Sequence, residues 1–153
     1  MANIFISFDH DDQAQVQGFK LIPRSNHPLD FRDHSLKEAV TNQYGRPIIF
    51  PPSDPRSAPV RKEIIEKFQN ASKMVVLIGQ NTAQSEWVDW EIKTFFNIKH
   101  QLSGDITWKR IRGMRLKGQD WAAMPPALGG RSTEILNWDP TMLNRWLDLD
   151  PDR

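Results

Sequence analysis

Apolar and polar positions alternate along this chain in blocks of strand and helix length. Asn3-Ile4-Phe5-Ile6-Ser7-Phe8-Asp9 is a short apolar run that stops at Asp9-His10-Asp11-Asp12, a cluster suited to a turn or a helix cap. It predicts a first strand with a polar carboxyl end. A weak helix is predicted over about residues 11–22, with the backbone entropy of Gly18 working against it. Leu29-Asp30-Phe31-Arg32 alternates as a second strand. The stretch from Thr41 to Pro59 carries five Pro residues around a brief Ile48-Ile49-Phe50 insert. It reads as a long loop inside one domain, because neither flank alone would bury a core.

The pattern then sharpens. Ser57 suits a helix cap and Pro59 a first turn, and Val60, Ile64, Ile65 and Phe68 trace one helical face down to Asn70. Lys73-Met74-Val75-Val76-Leu77-Ile78-Gly79 is a continuous apolar run, as expected of a parallel strand covered on both faces. Ser85 suits the cap of a strong helix from about Glu86 to Gln101, with Glu86 and Asp89 in its positive first turn. A cation-rich strand is predicted within Ile106–Leu116, a last strand within Ser132–Trp138 and a final helix over Thr141–Leu149. This order predicts one open α/β domain spanning residues 1–153, with ligands at the carboxyl ends of its strands.

Composition narrows the function classes. With 20 basic and 19 acidic side chains the net charge is +1, so no global field draws the molecule to nucleic acid or an anionic membrane. The absence of Cys removes disulfides, thiolate metal sites and thiol nucleophiles. No apolar run approaches a membrane-spanning length, and Met1-Ala2-Asn3-Ile4 does not begin an export signal. A soluble, cytoplasmic protein is expected.

The most informative local pattern is Ser85-Glu86-Trp87-Val88-Asp89-Trp90-Glu91-Ile92. On a helix Trp87 and Glu91 share a face one turn apart, and Phe95 continues it. Glu91 lacks the Lys or Arg partner that an exposed Glu usually has three or four residues away. Spacing leaves two readings open: an acid at the mouth of a cleft walled by Trp87, or a rim Glu leaning into water beside a core Trp. The cluster Ser7, Phe8, Asp9, His10, Asp11 ends the first strand. A receiver-like Mg²⁺ site there would need an Asp after the third strand, which instead ends Ile78-Gly79-Gln80-Asn81. Asp33-His34-Ser35 forms a third polar loop. The four His are scattered and give no metal-ligand spacing. Lys109, Arg110, Arg112, Arg115 and Lys117 place five cations in nine residues. This run reads as a charged edge strand that resists sheet-to-sheet pairing rather than as a phosphate-binding patch.

Four segments in register, Ile4-Phe5-Ile6-Ser7-Phe8, Asp33-His34-Ser35-Leu36, Lys73 to Gly79, and Thr82-x-x-Ser85-x-Trp87-x-x-Trp90-Glu91-Ile92, together resemble the TIR-like domain family. The resemblance is to the branch that includes the Thoeris antiphage TIR proteins, and it covers roughly residues 3–98. It implies a flavodoxin-like fold with a mainly parallel five-stranded sheet and helices on both faces. It also implies cleavage of NAD⁺ at the nicotinamide–ribose bond by a Glu in a W-x-x-x-E pattern, which Trp87 to Glu91 matches. By the same resemblance Glu91 is the catalytic acid, and Trp87 and Phe8 are aromatic walls of the nicotinamide-ribose pocket. Ser7, Asp9, Asp33, His34, Ser35 and Ser85 then lie in segments that line it. NAD⁺ enters as substrate, with no resident cofactor or metal. The product is a cyclic or modified ADP-ribose read by a separate effector protein, with self-assembly on activation. The chain departs from the family in its Pro-rich segment 41–59 and in Trp108-Lys109-Arg110-Ile111-Arg112, where an apolar central strand is expected.

The residue chemistry is consistent with that implication. Loss of neutral nicotinamide leaves an oxocarbenium-like ribosyl centre that a carboxylate stabilises, and aromatic faces attract the cationic pyridinium. The competing expectation is a non-catalytic interaction module that uses the Pro-rich segment and the cationic strand as surfaces.

Overall fold

A computed structural model of the protein describes residues 3–9, 32–33, 50–103, 110–129 and 134–147. The sheet has five strands: β1 Asn3–Phe8, β2 Arg32–Asp33, β3 Lys73–Ile78, β4 Ile111–Arg115 and β5 Glu134–Leu136. They run in the order β2-β1-β3-β4-β5, and every pairing is parallel. This is the flavodoxin-like order, in which the chain steps from β1 to β2 on one side and to β3 on the other. The predicted helix over 11–22 and most of the predicted second strand lie outside the described residues.

Among the described residues three α-helices cover the two faces: α1 Ala58–Asn70, α2 Glu86–Ser103 and α3 Pro140–Leu147. Alternation along each strand divides the core between them. Phe5, Met74, Val76, Ile78 and Ile111 meet Val60, Ile64 and Phe68 of α1 and Val88, Ile92 and Phe95 of α2. Ile4, Ile6, Val75, Leu77 and Met114 meet Leu143 and Trp146 of α3. No helix among the described residues is long and apolar enough to cross a membrane.

Two expectations are corrected. The cation-rich strand is not an edge: β4 pairs with β3 on one side and β5 on the other. It tolerates that place because its cations find partners indoors. The Arg112 guanidinium lies 5.0 Å from the Trp146 ring centroid. Arg115 Nε donates to the Ala122 carbonyl at 2.9 Å, and Arg110, just before the strand, donates to the Ser72 carbonyl at 3.1 Å. Gly113 keeps the other face of β4 thin, for a Cβ there would meet Ile135 Cγ1 and Ile78 Cδ1, each at 3.2 Å. The second correction is at Ser57. It stands at the start of α1 but makes no side-chain cap; its hydroxyl donates back to the Phe50 and Pro51 carbonyls at 3.1 and 2.7 Å. The described part of the Pro-rich segment is thus a tied turn running into α1. Ser85 does cap α2, accepting the Val88 N–H at 3.2 Å.

Lys73 opens β3 and is completely buried on the α3 face. Its Nζ donates to the Trp146 carbonyl and sits 4.7 Å from that residue's ring centroid. A cation at the last turn of a helix satisfies an orphan carbonyl and complements the helix dipole.

Candidate active site

The strand order reverses at β1 and β3, and the carboxyl ends of strands at such a point are the usual ligand position in an open α/β sheet. Ser7 is the polar interruption of the β1 apolar run and sits in register with Val76 of β3. Its place in the alternation points it, with Phe5, into the α1–α2 layer. Glu91 is carried to the same point by α2, where it follows Val88 on the buried side of the helix. Ser7 is 1% exposed and Glu91 8%, and the Ser7 hydroxyl donates to Glu91 Oε1 at 2.9 Å. The acid therefore does not lean into water.

Burial dominates its electrostatics. Desolvation disfavours the carboxylate and pushes the Glu91 pKa up to about 8, against a smaller downward pull from the Ser7 hydrogen bond. No charged side chain among the described residues contributes. The nearest charges on the same helix, Asp89 and Lys93, pair with each other at 2.9 Å. Near neutral pH this burial favours the neutral carboxylic acid. A positive charge brought beside it would favour its ionised form.

Trp87 is half-buried one turn before Glu91. Its indole N–H donates to the Phe50 carbonyl at 3.0 Å, and its ring meets Trp90 edge-on at 5.6 Å. Trp90 in turn stacks on Phe68, and Phe68 meets Phe5 at 4.7 Å and Phe95 at 5.5 Å. Trp87 is thus the outer member of an aromatic series running into the core, and the turn at residues 50–57 holds it. That turn is itself braced: Arg56 bonds both Asp54 carboxylate oxygens and stacks 3.5 Å from the Phe50 ring centroid.

The other expected site residues are not all gathered here. Phe8 packs with the α3-side core, on the opposite face of the sheet from Ser7. It and Trp87 therefore do not form one aromatic wall. Asp9 follows directly at the strand's carboxyl end. Asp33 is in register with Ile4, three residues short of Ser7 along β1. Ser85 sits at the start of α2 with its hydroxyl accepting the cap hydrogen bond. His34 and Ser35 lie outside the described residues. Among the described residues, no group of three or more His, Asp or Glu is placed to hold a metal ion. Phe50 was not expected at the site; its role rests on its backbone carbonyl, which no side-chain pattern advertises.

A model of the family described as the TIR-like domain of Thoeris protein ThsB matches residues 5–114. The match takes in most of β1, all of β3 and α2 and nearly all of β4, and it exceeds half of the chain. No curated protein matches the sequence.

Proposed function

We propose, from the premise that this chain belongs to the TIR-like domain family of Thoeris protein ThsB, that it is an antiphage-defence TIR protein that cleaves NAD⁺. Glu91 is its catalytic acid. The observation that carries this reading is the Ser7–Glu91 pair: a buried carboxyl with no cationic partner among the described residues, at the ends of β1 and β3, one helical turn from a half-buried Trp.

In the proposed reaction the bond between nicotinamide N1 and ribose C1′ breaks, and its electron pair leaves with nicotinamide as the neutral base. The ribosyl centre becomes electron-poor, and the Glu91 carboxylate stabilises its charge and accepts hydrogen bonds from the ribose hydroxyls. The pyridinium charge of the substrate supplies a counter-charge beside Glu91, so Glu91 ionises as NAD⁺ binds. Trp87 offers an aromatic face to that cation. Capture of the ribosyl centre by water gives ADP-ribose and a proton. Capture by a hydroxyl or another nucleophile gives a cyclic or modified ADP-ribose, the form suited to a signal for an effector protein.

Incubation with NAD⁺, with and without a phage-derived trigger, tests the reading through nicotinamide release. Wild type releases nicotinamide and Glu91→Gln does not; equal release by the two removes Glu91 from the chemistry. The alternative, a non-catalytic scaffold, draws on a cationic surface at Arg110 and Arg112. Those guanidinium groups engage the Ser72 carbonyl and the Trp146 ring; the Pro-rich segment is that alternative's other surface, and no nicotinamide release under any trigger would favour it.

A further inference from the structure

We infer that Ser7 is a positioning residue for Glu91: its hydroxyl holds Oε1, so that Oε2 alone is presented to the substrate and alone carries the exchangeable proton. The inference rests on the proposed NAD⁺-cleaving role of Glu91 and assigns Ser7 to the acid instead of to the ligand.

Three observations carry it. The Ser7–Glu91 contact joins β1 to α2 across 84 residues of sequence at 2.9 Å, so it fixes the helix side chain against the rigid centre of the sheet. Ser7 is 1% exposed, which leaves its hydroxyl little access to any ligand and commits it to the neighbour it already has. The Ser7 bond is also the one side-chain hydrogen bond that Glu91 makes among the described residues, and it falls on Oε1. Oε2 is left without a hydrogen-bond partner among the described residues. A hydroxyl donates to the carbonyl oxygen of a carboxylic acid and, more strongly, to a carboxylate. Ser7 can thus stay bonded to Oε1 while the proton leaves Oε2, and the carboxyl ionises without turning.

The surroundings of Glu91 make Ser7 the polar neighbour that tunes it. The α1 helix faces this layer with Val60, Ile64 and Phe68, and β3 with Val76 and Ile78, all uncharged. On α2 itself Asp89 and Lys93 are paired with each other. Asp9, two residues beyond Ser7, and Arg61 on α1 make no contribution to the Glu91 shift, whose causes are burial and the Ser7 bond. Because that bond favours the charged form, removing it raises the proton affinity of Glu91 further.

The test follows the Glu91 carboxyl by ¹³C NMR across pH 5 to 10, with the resonance assigned by its absence in Glu91→Gln. In Ser7→Ala the titration midpoint rises by about one pH unit relative to wild type, since a hydrogen bond to a charged group is worth that much or more. In Ser7→Thr, which restores the hydroxyl, it returns toward the wild-type value. A Ser7→Ala midpoint equal to wild type overturns the inference, as does a folded Ser7→Thr that titrates like Ser7→Ala. The same variants assayed for nicotinamide release separate the two claims. An ascending pH limb displaced upward in Ser7→Ala, with kcat lowered more than KM is raised, supports both. If no variant releases nicotinamide but the NMR midpoint still moves, the NAD⁺ reading fails and the Ser7–Glu91 linkage stands.

Discussion

Replacing Glu91 by Gln should make the protein more stable, and increasingly so as the pH rises. Glu91 goes from a pKa of 4.5 in the unfolded chain to about 8 in the folded one. Between those values the unfolded chain has lost its proton and the folded protein keeps it. The folded state binds more protons there, so stability falls as pH increases. The slope is about 1.4 kcal/mol per pH unit and the full span about 5 kcal/mol. Below pH 4.5 both states are protonated and the penalty vanishes; above 8 both are ionised and the whole of it is present. By pH 7 about 3 kcal/mol has been lost, a sizeable part of the roughly 5–15 kcal/mol that holds a domain folded. Gln is nearly isosteric, accepts the Ser7 hydrogen bond through its amide oxygen, and does not titrate. Urea or thermal melts of both proteins at half-unit steps from pH 5 to 9 isolate the effect, because every other titrating group cancels in the difference. The curves should nearly meet at pH 5 and separate steadily, reaching about 10–20 °C in Tm at pH 9. Profiles that stay parallel would refute the argument, since they would mean that Glu91 is solvated or paired in the folded protein.

Other expectations rest on different contacts. Arg112→Glu should cost several kcal/mol in denaturant melts, because it sets a carboxylate over the Trp146 ring on an inner strand, whereas Arg112→Met should cost little. Trp87→Phe keeps an aromatic ring but leaves the Phe50 carbonyl with only the Ser57 hydroxyl; a loss of about 1 kcal/mol is expected by thermal melt, with a larger fall in nicotinamide release from weaker pyridinium contact. Lys73→Met should lower stability by about 1–3 kcal/mol through loss of the Trp146 carbonyl and ring contacts, and amide exchange should show protection lost first in α3. Nicotinamide release by that variant, measured at a temperature where it is folded, should match wild type.

The uninterrupted Lys73–Ile78 run could be read directly, because a strand covered on both faces needs apolar residues at every position. The α2 helix and its Ser85 cap were legible for a similarly local reason: capping is settled within one turn. Glu91 stood out because no cation lies a turn away and aromatic residues do. Its partner did not, because the β1 strand and α2 meet only in the folded sheet. Period-two alternation does place Ser7 and Phe8 on opposite faces, so the separation of Phe8 from Trp87 is contained in the sequence once β1 is known to be covered on both sides. The β4 misreading has a different origin. Charge density suggests an edge, and only the tertiary placement of Trp146, more than thirty residues later, shows where the Arg112 guanidinium goes. Ser57 illustrates a competition that local rules leave open, since its hydroxyl serves two upstream carbonyls instead of the helix.

The sheet also acts as an electrical insulator. Lys73 begins β3 in register with Ile4, while Ser7 and Glu91 meet at the far end of the same strand pair. Three residues of strand, about 10 Å, separate the two levels, and the side chains leave the sheet by opposite faces. Lys73 accordingly does not figure among the causes of the Glu91 shift. Had both groups entered the same layer at the same level, they would have neutralised each other, and the acid would be locked as a permanent anion. Keeping them apart leaves the proton on Glu91 governed by burial and by a single hydroxyl, and not by a fixed cation among the described residues.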